Sequence, residues 1–162
     1  MKTISINLIC KTCNNTFTHT KSVKGNGSNY KYWAINHIDK CPRCFAAEKR
    51  AERLNWTLQY LSDNYIELPE LNGTPNQIKY AKRLRDDFIE KYYLEIVDVI
   101  NKYNSSKNAF RIEARDRGIE MGQVALQKWS GTRDYYLFAS VYIKSASFLI
   151  NMFLDGGIES VA

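Results

Sequence analysis

No apolar run in this chain approaches the roughly 18–20 residues needed to cross a bilayer. The most apolar stretch, Tyr135 to Leu154, is interrupted by Ser140, Lys144, Ser145, Ser147 and Asn151, so it reads as a core helix. The opening Met1-Lys2-Thr3-Ile4 has neither the long apolar stretch nor the small-residue cleavage site of a secretory leader. A cytoplasmic address without membrane association is therefore expected, where thiols stay reduced. Histidine is scarce: only His19 and His37 occur. No G-x-S-x-G, no H-E-x-x-H and no glycine-rich phosphate loop is present. Glu48 and Glu52 sit among Lys49, Arg50 and Arg53 and read as surface ion pairs, while the adjacent Asp86 and Asp87 point to different sides of a helix. The expectation is a protein that is not an enzyme and takes no small-molecule substrate. No internal repeat or low-complexity tract is visible.

Cysteine is also scarce, but its four copies are ordered. They form two C-x-x-C pairs, Cys10-Lys11-Thr12-Cys13 and Cys41-Pro42-Arg43-Cys44. Two residues between thiols let one tight turn aim both sulfurs at a single point. Two such turns supply the four soft ligands that tetrahedral zinc prefers. Two disulfides or a redox C-x-x-C are the alternatives, but pairs separated by a hairpin-sized insert favour one shared metal. One structural Zn2+ on Cys10, Cys13, Cys41 and Cys44 is thus predicted, since four thiolates leave no open position for water. His19 or His37 could replace a thiol, though nothing in the spacing requires it.

Around these pairs the fold class reads as α+β, mainly helical. Ile4, Ile6 and Leu8 alternate with polar residues and mark a strand, and Thr16 to Thr20 marks a second. Lys24-Gly25-Asn26-Gly27-Ser28-Asn29 is read as the tip of a hairpin, with Tyr30 to Ile35 returning as a strand or a short turn of helix. The second pair opens a helix rich in helix formers. Together these make a treble-clef or zinc-ribbon module over residues 1–65, in which the metal substitutes for a core too small to hold alone. Residues 68–162 form a helical module of about three helices. Thr74-Pro75-Asn76-Gln77 is a capping box with proline at the first helical position, and its helix is predicted to reach about Tyr103. A second helix is predicted over Lys107 to Trp129, with Gly118 and Gly122 marking either a close approach or a break. A third is predicted from Thr132 to about Asp155, stopped by Gly156-Gly157.

The charge is uneven. Residues 1–55 carry ten Lys/Arg against three Asp/Glu, and the rest carry thirteen against fourteen, giving the overall +6. Four thiolates on one zinc ion would add about −2 to the cysteine module. Within it, Lys21, Lys24, Lys31, Lys40 and Arg43 interleave with Tyr30, Tyr32 and Trp33. Cations for phosphate and rings for base stacking are what nucleic-acid binders use. The same rings could instead pack the small core, and the cations could form a solvated face that balances an anionic metal centre. Lys79, Lys82, Arg83 and Arg85 are offset by Asp86, Asp87 and Glu90 and read as a salt-bridged helix face. The rings of the helical module (Tyr92, Tyr93, Trp129, Tyr135, Tyr136, Phe138, Phe148, Phe153) are candidates for core packing or for anchoring a protein partner.

Two segments carry a resemblance. Leu68-Pro69-Glu70-Leu71-Asn72-Gly73-Thr74-Pro75-Asn76-Gln77-Ile78-Lys79-Tyr80-Ala81-Lys82-Arg83-Leu84-Arg85 resembles a leucine-x-glycine-serine/threonine, glutamine-isoleucine, alanine, arginine segment. That segment recurs in small accessory proteins of Gram-positive phages and mobile elements. Ser145-Ala146-Ser147-Phe148-Leu149-Ile150-Asn151 is similar to their late alanine-x-phenylalanine-tryptophan-isoleucine-aspartate segment, from which Leu149 and Asn151 depart. Those proteins often begin with a four-cysteine zinc module. The resemblance brings no catalytic residues. It implies an anti-CRISPR-like role: a zinc-stabilised protein in the bacterial host cytoplasm that binds a CRISPR effector nuclease and blocks target DNA engagement. The alternative expectation is a basic zinc-ribbon nucleic-acid-binding protein, such as a phage regulator or replication accessory.

Overall fold

The computed structural model describes residues 1–155. Gly156 and Gly157, read as the stop of the last helix, lie outside the described residues. The fold is α+β and mainly helical. The elements run β1 (Lys2–Ile9), β2 (Thr16–Val23), α1 (Ser28–His37), α2 (Pro42–Asp63), α3 (Pro75–Ser105), α4 (Lys107–Arg117), α5 (Met121–Lys128), α6 (Arg133–Tyr142) and α7 (Ala146–Leu154). The chain packs as two units, Met1–Arg53 and a second beginning at Leu54, with the division inside α2.

In the first unit β1 and β2 pair antiparallel in a register from Lys2↔Val23 to Ile9↔Thr16. Alternation buries Ile6 and Leu8 on one face, where they cluster with Ala34 and with Ile4, Phe17, Tyr30 and Ile38. The opposite face is polar: Thr3 faces Ser22 and Ser5 faces Thr20 at 3.4 Å, and Thr18 Oγ1 donates to Asn7 Oδ1 at 3.0 Å. A lone two-stranded hairpin is marginal in water, so α1 supplies the apolar cover that it lacks.

One expectation changes here and another is narrowed. The hairpin tip is the first cysteine pair; of the segment read as the tip, Lys24 to Gly27 instead connects β2 to α1, and Ser28 and Asn29 open that helix. Gly27 sets that connection with a left-handed φ of 75°. A Cβ at Gly27 would lie 3.0 Å from Val23 Cγ2 and 3.1 Å from Ile4 Cδ1, so the bend closes directly onto the hairpin. Of the two readings of Tyr30 to Ile35, helix is the one found, extended to the ten residues of α1, because Tyr30 and Ala34, one turn apart, both meet the hairpin core.

The second unit is all helical among the described residues. α3 begins as predicted: Thr74 Oγ1 accepts from Gln77 N at 3.4 Å, Thr74 N donates to Gln77 Oε1 at 3.0 Å, and Pro75 follows the cap. α3 reaches Ser105 with a kink at Tyr92 (φ −123°, ψ 17°). The predicted helix over Lys107 to Trp129 is two helices. Gly118, at φ 66°, ends α4 in a left-handed cap. Gly122 serves close approach, because the ring of Tyr142 lies over its Cα; any Cβ there would stand 2.1 Å from that ring. The predicted helix from Thr132 is also two. Thr132 stands at the N-cap of α6 as expected, but its Oγ1 donates to Trp129 O at 2.6 Å instead of accepting from the helix, and Ser145 caps α7 by accepting from Phe148 N at 3.3 Å. The joint between them is extended and pairs with Asn72: Asn72 N donates to Lys144 O at 2.7 Å and Ala146 N donates to Asn72 O at 3.0 Å. Among the described residues, the module following residue 68 therefore holds five helices, where about three were expected. The two stretches that carry the resemblance meet at this bridge.

The core of this unit runs through Leu61, Phe88, Ile89, Ile96, Val99, Phe110, Val124, Leu137 and Phe138. Its rings form a chain, Tyr103 to Phe138 at 4.8 Å, Phe138 to Trp129 at 5.3 Å and Trp129 to Phe110 at 5.8 Å. Tyr92, Tyr93, Trp129, Tyr136 and Phe153 all pack against it, and Tyr135 packs against a smaller cluster of Ala81, Ala139, Ala146, Leu149 and Met152. Most of the rings proposed as partner anchors are thus core residues, whereas Phe148 stays 40% exposed. The basic face of α3 also differs from expectation. Lys82 pairs with Asp86 at 3.0 Å, but Arg85 turns inward, is buried, and donates from Nη1 to Pro69 O at 3.0 Å.

Candidate metal centre

The first cysteine pair lies in the turn between β1 and β2. Cys10 N donates to Asn15 O at 3.0 Å and Asn14 N donates to Cys10 O at 2.8 Å. Asn14 takes a left-handed φ of 56°, a conformation that asparagine tolerates. The second pair lies at the start of α2, where Phe45 N donates to Cys41 O at 3.0 Å. Pro42 stands at the first helical position, where its missing N–H costs nothing. One hydrogen bond ties the two turns: Lys11 N donates to Asp39 O at 2.7 Å. The backbone therefore sets the two pairs against each other.

All four ligand sulfurs fall within 4.8 Å of one another, and Cys13 Sγ and Cys41 Sγ are 3.9 Å apart. Sulfurs at tetrahedral corners about 2.3 Å from one ion stand about 3.8 Å apart, so the cluster matches the spacing of a shared metal. None of the four cysteines is in a disulfide. Cys10 and Cys41 are buried, Cys44 is half-buried and Cys13 is exposed. Backbone hydrogen bonding at Cys41 lowers the Cys10 thiol to about 6, against the opposing effect of burial. Hydrogen bonds with the sulfurs of Cys41 and Cys13 push Cys44 up to about 12. Sulfurs this close disfavour several thiolates at once. A divalent cation removes that penalty by neutralising the crowded charge.

The contact candidates separate into two groups. Lys21, Lys24, Lys31, Tyr32, Trp33 and Arg43 are exposed. Lys40 is committed to Glu48 at 2.6 Å, and that carboxylate raises its pKa. Tyr30 turns toward the hairpin and its hydroxyl meets His19 Nε2 at 2.8 Å. Neither histidine joins the cysteine cluster. His37 instead holds its own helix, with Nδ1 2.8 Å from Trp33 O, and stacks on the Trp33 ring at 5.1 Å.

Two surface features of the second unit were not singled out from sequence. Trp56 is 57% exposed although it stacks on Tyr60 at 5.6 Å and meets Tyr93 edge-on at 5.3 Å. Two adjoining open hollows of about 400 and 610 Å³ share Gln123, Leu126, Ile143 and Phe148. The hollows depend on the break between α6 and α7, which has no local glycine or proline to announce it. None of the helices among the described residues is long and apolar enough to cross a membrane. Comparison with protein-family models, with curated proteins and with solved structures finds no match.

Proposed function

We propose that this chain is a non-catalytic binding protein whose first unit is held together by one structural zinc ion on Cys10, Cys13, Cys41 and Cys44. The observation that carries this reading is the convergence of four sulfurs, two from a hairpin turn and two from a helix start, within 4.8 Å. Zinc suits an all-thiolate tetrahedral set and needs no redox partner. With its shell filled by protein, the ion has no site for water or substrate and acts as a brace. The bracing matters because the hairpin and α1 share a cluster of only a few apolar side chains.

The proposed target is a CRISPR effector nuclease in the host cytoplasm, whose engagement of target DNA this protein blocks. Support comes from the resemblance of residues 68–85 and 145–151 to phage accessory proteins, and from the joining of those segments through Asn72, Lys144 and Ala146. The net charge of +6 speaks against an acidic imitation of DNA, so shape and exposed rings such as Trp56 and Phe148 would do the recognising. Purified protein is expected to carry one zinc ion per chain by elemental analysis, to co-elute with such a nuclease and to reduce its DNA binding. Failure to co-elute with any effector tested, alongside undiminished cleavage, would sink the target assignment while leaving the zinc reading to the metal analysis.

A second reading, a nucleic-acid-binding module, is favoured by one observation: Lys21, Lys24, Lys31 and Tyr32 all remain exposed on the basic first unit. It predicts salt-sensitive retardation of DNA or RNA by the protein alone.

A further inference from the structure

The first acidic residue of the chain is Asp39; residues 1–38 carry Lys2, Lys11, Lys21, Lys24 and Lys31 and no Asp or Glu. β1, β2 and α1 thus form a surface of one sign. Four of these lysines belong to the segments that meet at Gly27. Gly27 packs against Val23 and Ile4, whose cross-strand partners are Lys2 and Lys21. Lys24 lies in the connection between, and Lys31 N donates to Gly27 O at 2.9 Å, one turn up the helix. Lys21, Lys24 and Lys31 make no ion pair among the described residues. Lysines in a unit with no acidic residue in its first 38 positions favour a polyanion.

The rings of α1 decide which polyanion. Trp33 is stacked by Tyr30 at 5.5 Å from the turn before and by His37 at 5.1 Å from the turn after. Trp33 is thus already engaged by two rings, although it stays 45% exposed. Tyr30 is held by the hairpin core and His19. Tyr32 differs: it is 75% exposed, no ring lies against it among the described residues, and the neighbouring outward side chain Ile35 is 56% exposed. An exposed ring on a basic helix whose lysines are unpaired is the combination that rewards an unstacked base with its phosphates. A duplex offers phosphates but keeps its base faces covered.

We infer that α1 carries a single-stranded nucleic-acid site, with a base stacked on Tyr32 and backbone phosphates on Lys31, Lys24 and Lys21. This inference rests on the nucleic-acid reading given above and names its ligand and contact register. The three rings of the basic segment are not equivalent in it: Tyr30 and Trp33 brace α1, and Tyr32 alone receives the base.

The test uses the full zinc-loaded chain and fluorescence anisotropy with labelled oligo(dT) and oligo(rU) of twelve bases, beside a duplex of equal length. Single strands are expected to bind at low salt and to release as salt rises. Tyr32→Ala should weaken binding about tenfold, in line with the roughly 1–3 kcal/mol of one stacked base, and Tyr32→Phe should restore it. Lys31→Ala should reduce the logarithmic salt slope by about 0.7. Unchanged zinc content and helicity would show that the exposed substitutions leave the fold intact. Duplex bound as tightly as single strand, or single strand bound equally by Tyr32→Ala, overturns the stacking site and leaves the broader nucleic-acid reading standing. No binding to any of the three probes overturns both.

Discussion

Gly122 has no room for a side chain, since an added methyl would stand 2.1 Å from the Tyr142 ring. That ring is not free to swing away without loss. Its hydroxyl donates to Glu120 Oε2 at 2.5 Å and its face stacks on Phe138 at 5.3 Å. Burial and the Glu120 carboxylate also hold the Tyr142 phenol well above its ordinary pKa. Gly122→Ala is therefore expected to cost roughly 1–3 kcal/mol through overpacking, read as a lowered urea midpoint with an unchanged slope. At this scale the cysteines and the Thr74 cap were legible in the sequence, because their geometry is written in a few adjacent residues. Arg85 was not. Lys82, Arg83, Arg85 and Asp86 look like one solvated charge pattern, and only the position of the Pro69 carbonyl makes Arg85 turn inward.

The clearest stitch between elements is Glu113 of α4. It accepts from Lys128 at the end of α5 at 2.5 Å and from Arg117 at 3.1 Å. Lys128 chiefly, with Arg117, holds its carboxyl below the ordinary carboxylate range. A depressed folded pKa contributes stability that is fully present above the unfolded value and is lost as pH falls through the folded one. Glu113→Gln is thus expected to lower the thermal midpoint at neutral pH, and the difference from the unsubstituted protein should shrink on acidification. An equal deficit at all pH values would assign Glu113 a packing role instead. Helix identity was readable from periodicity, but helix endings were readable only where local chemistry marked them. Gly118 marks one. The break at Ile143 and Lys144 is imposed by pairing with Asn72, more than seventy residues earlier in the chain, and no window of sequence contains both partners.

Taken whole, the molecule joins two units of different stability logic. The second unit has an extended apolar core of its own, whereas the first has only a small cluster beside the four-cysteine site. If the proposed zinc ion braces the first unit, its chelation is expected to remove hydrogen-exchange protection from β1, β2 and α1 while α3 to α7 keep theirs. A single cooperative loss of protection across all elements would contradict that independence. Substituting Ser for Cys10 or Cys41 should reproduce the chelated state without a chelator. The layout of donors has one more consequence. Lys21, Lys24, Tyr30, Lys31, Tyr32, Trp33 and Lys40 all lie between Cys13 and Cys41, inside the segment that the two cysteine pairs clasp. Recognition by that segment would inherit the metal economy of the cell: chain made under zinc starvation would accumulate intact yet inert, and resupplying the ion would switch it on without new synthesis.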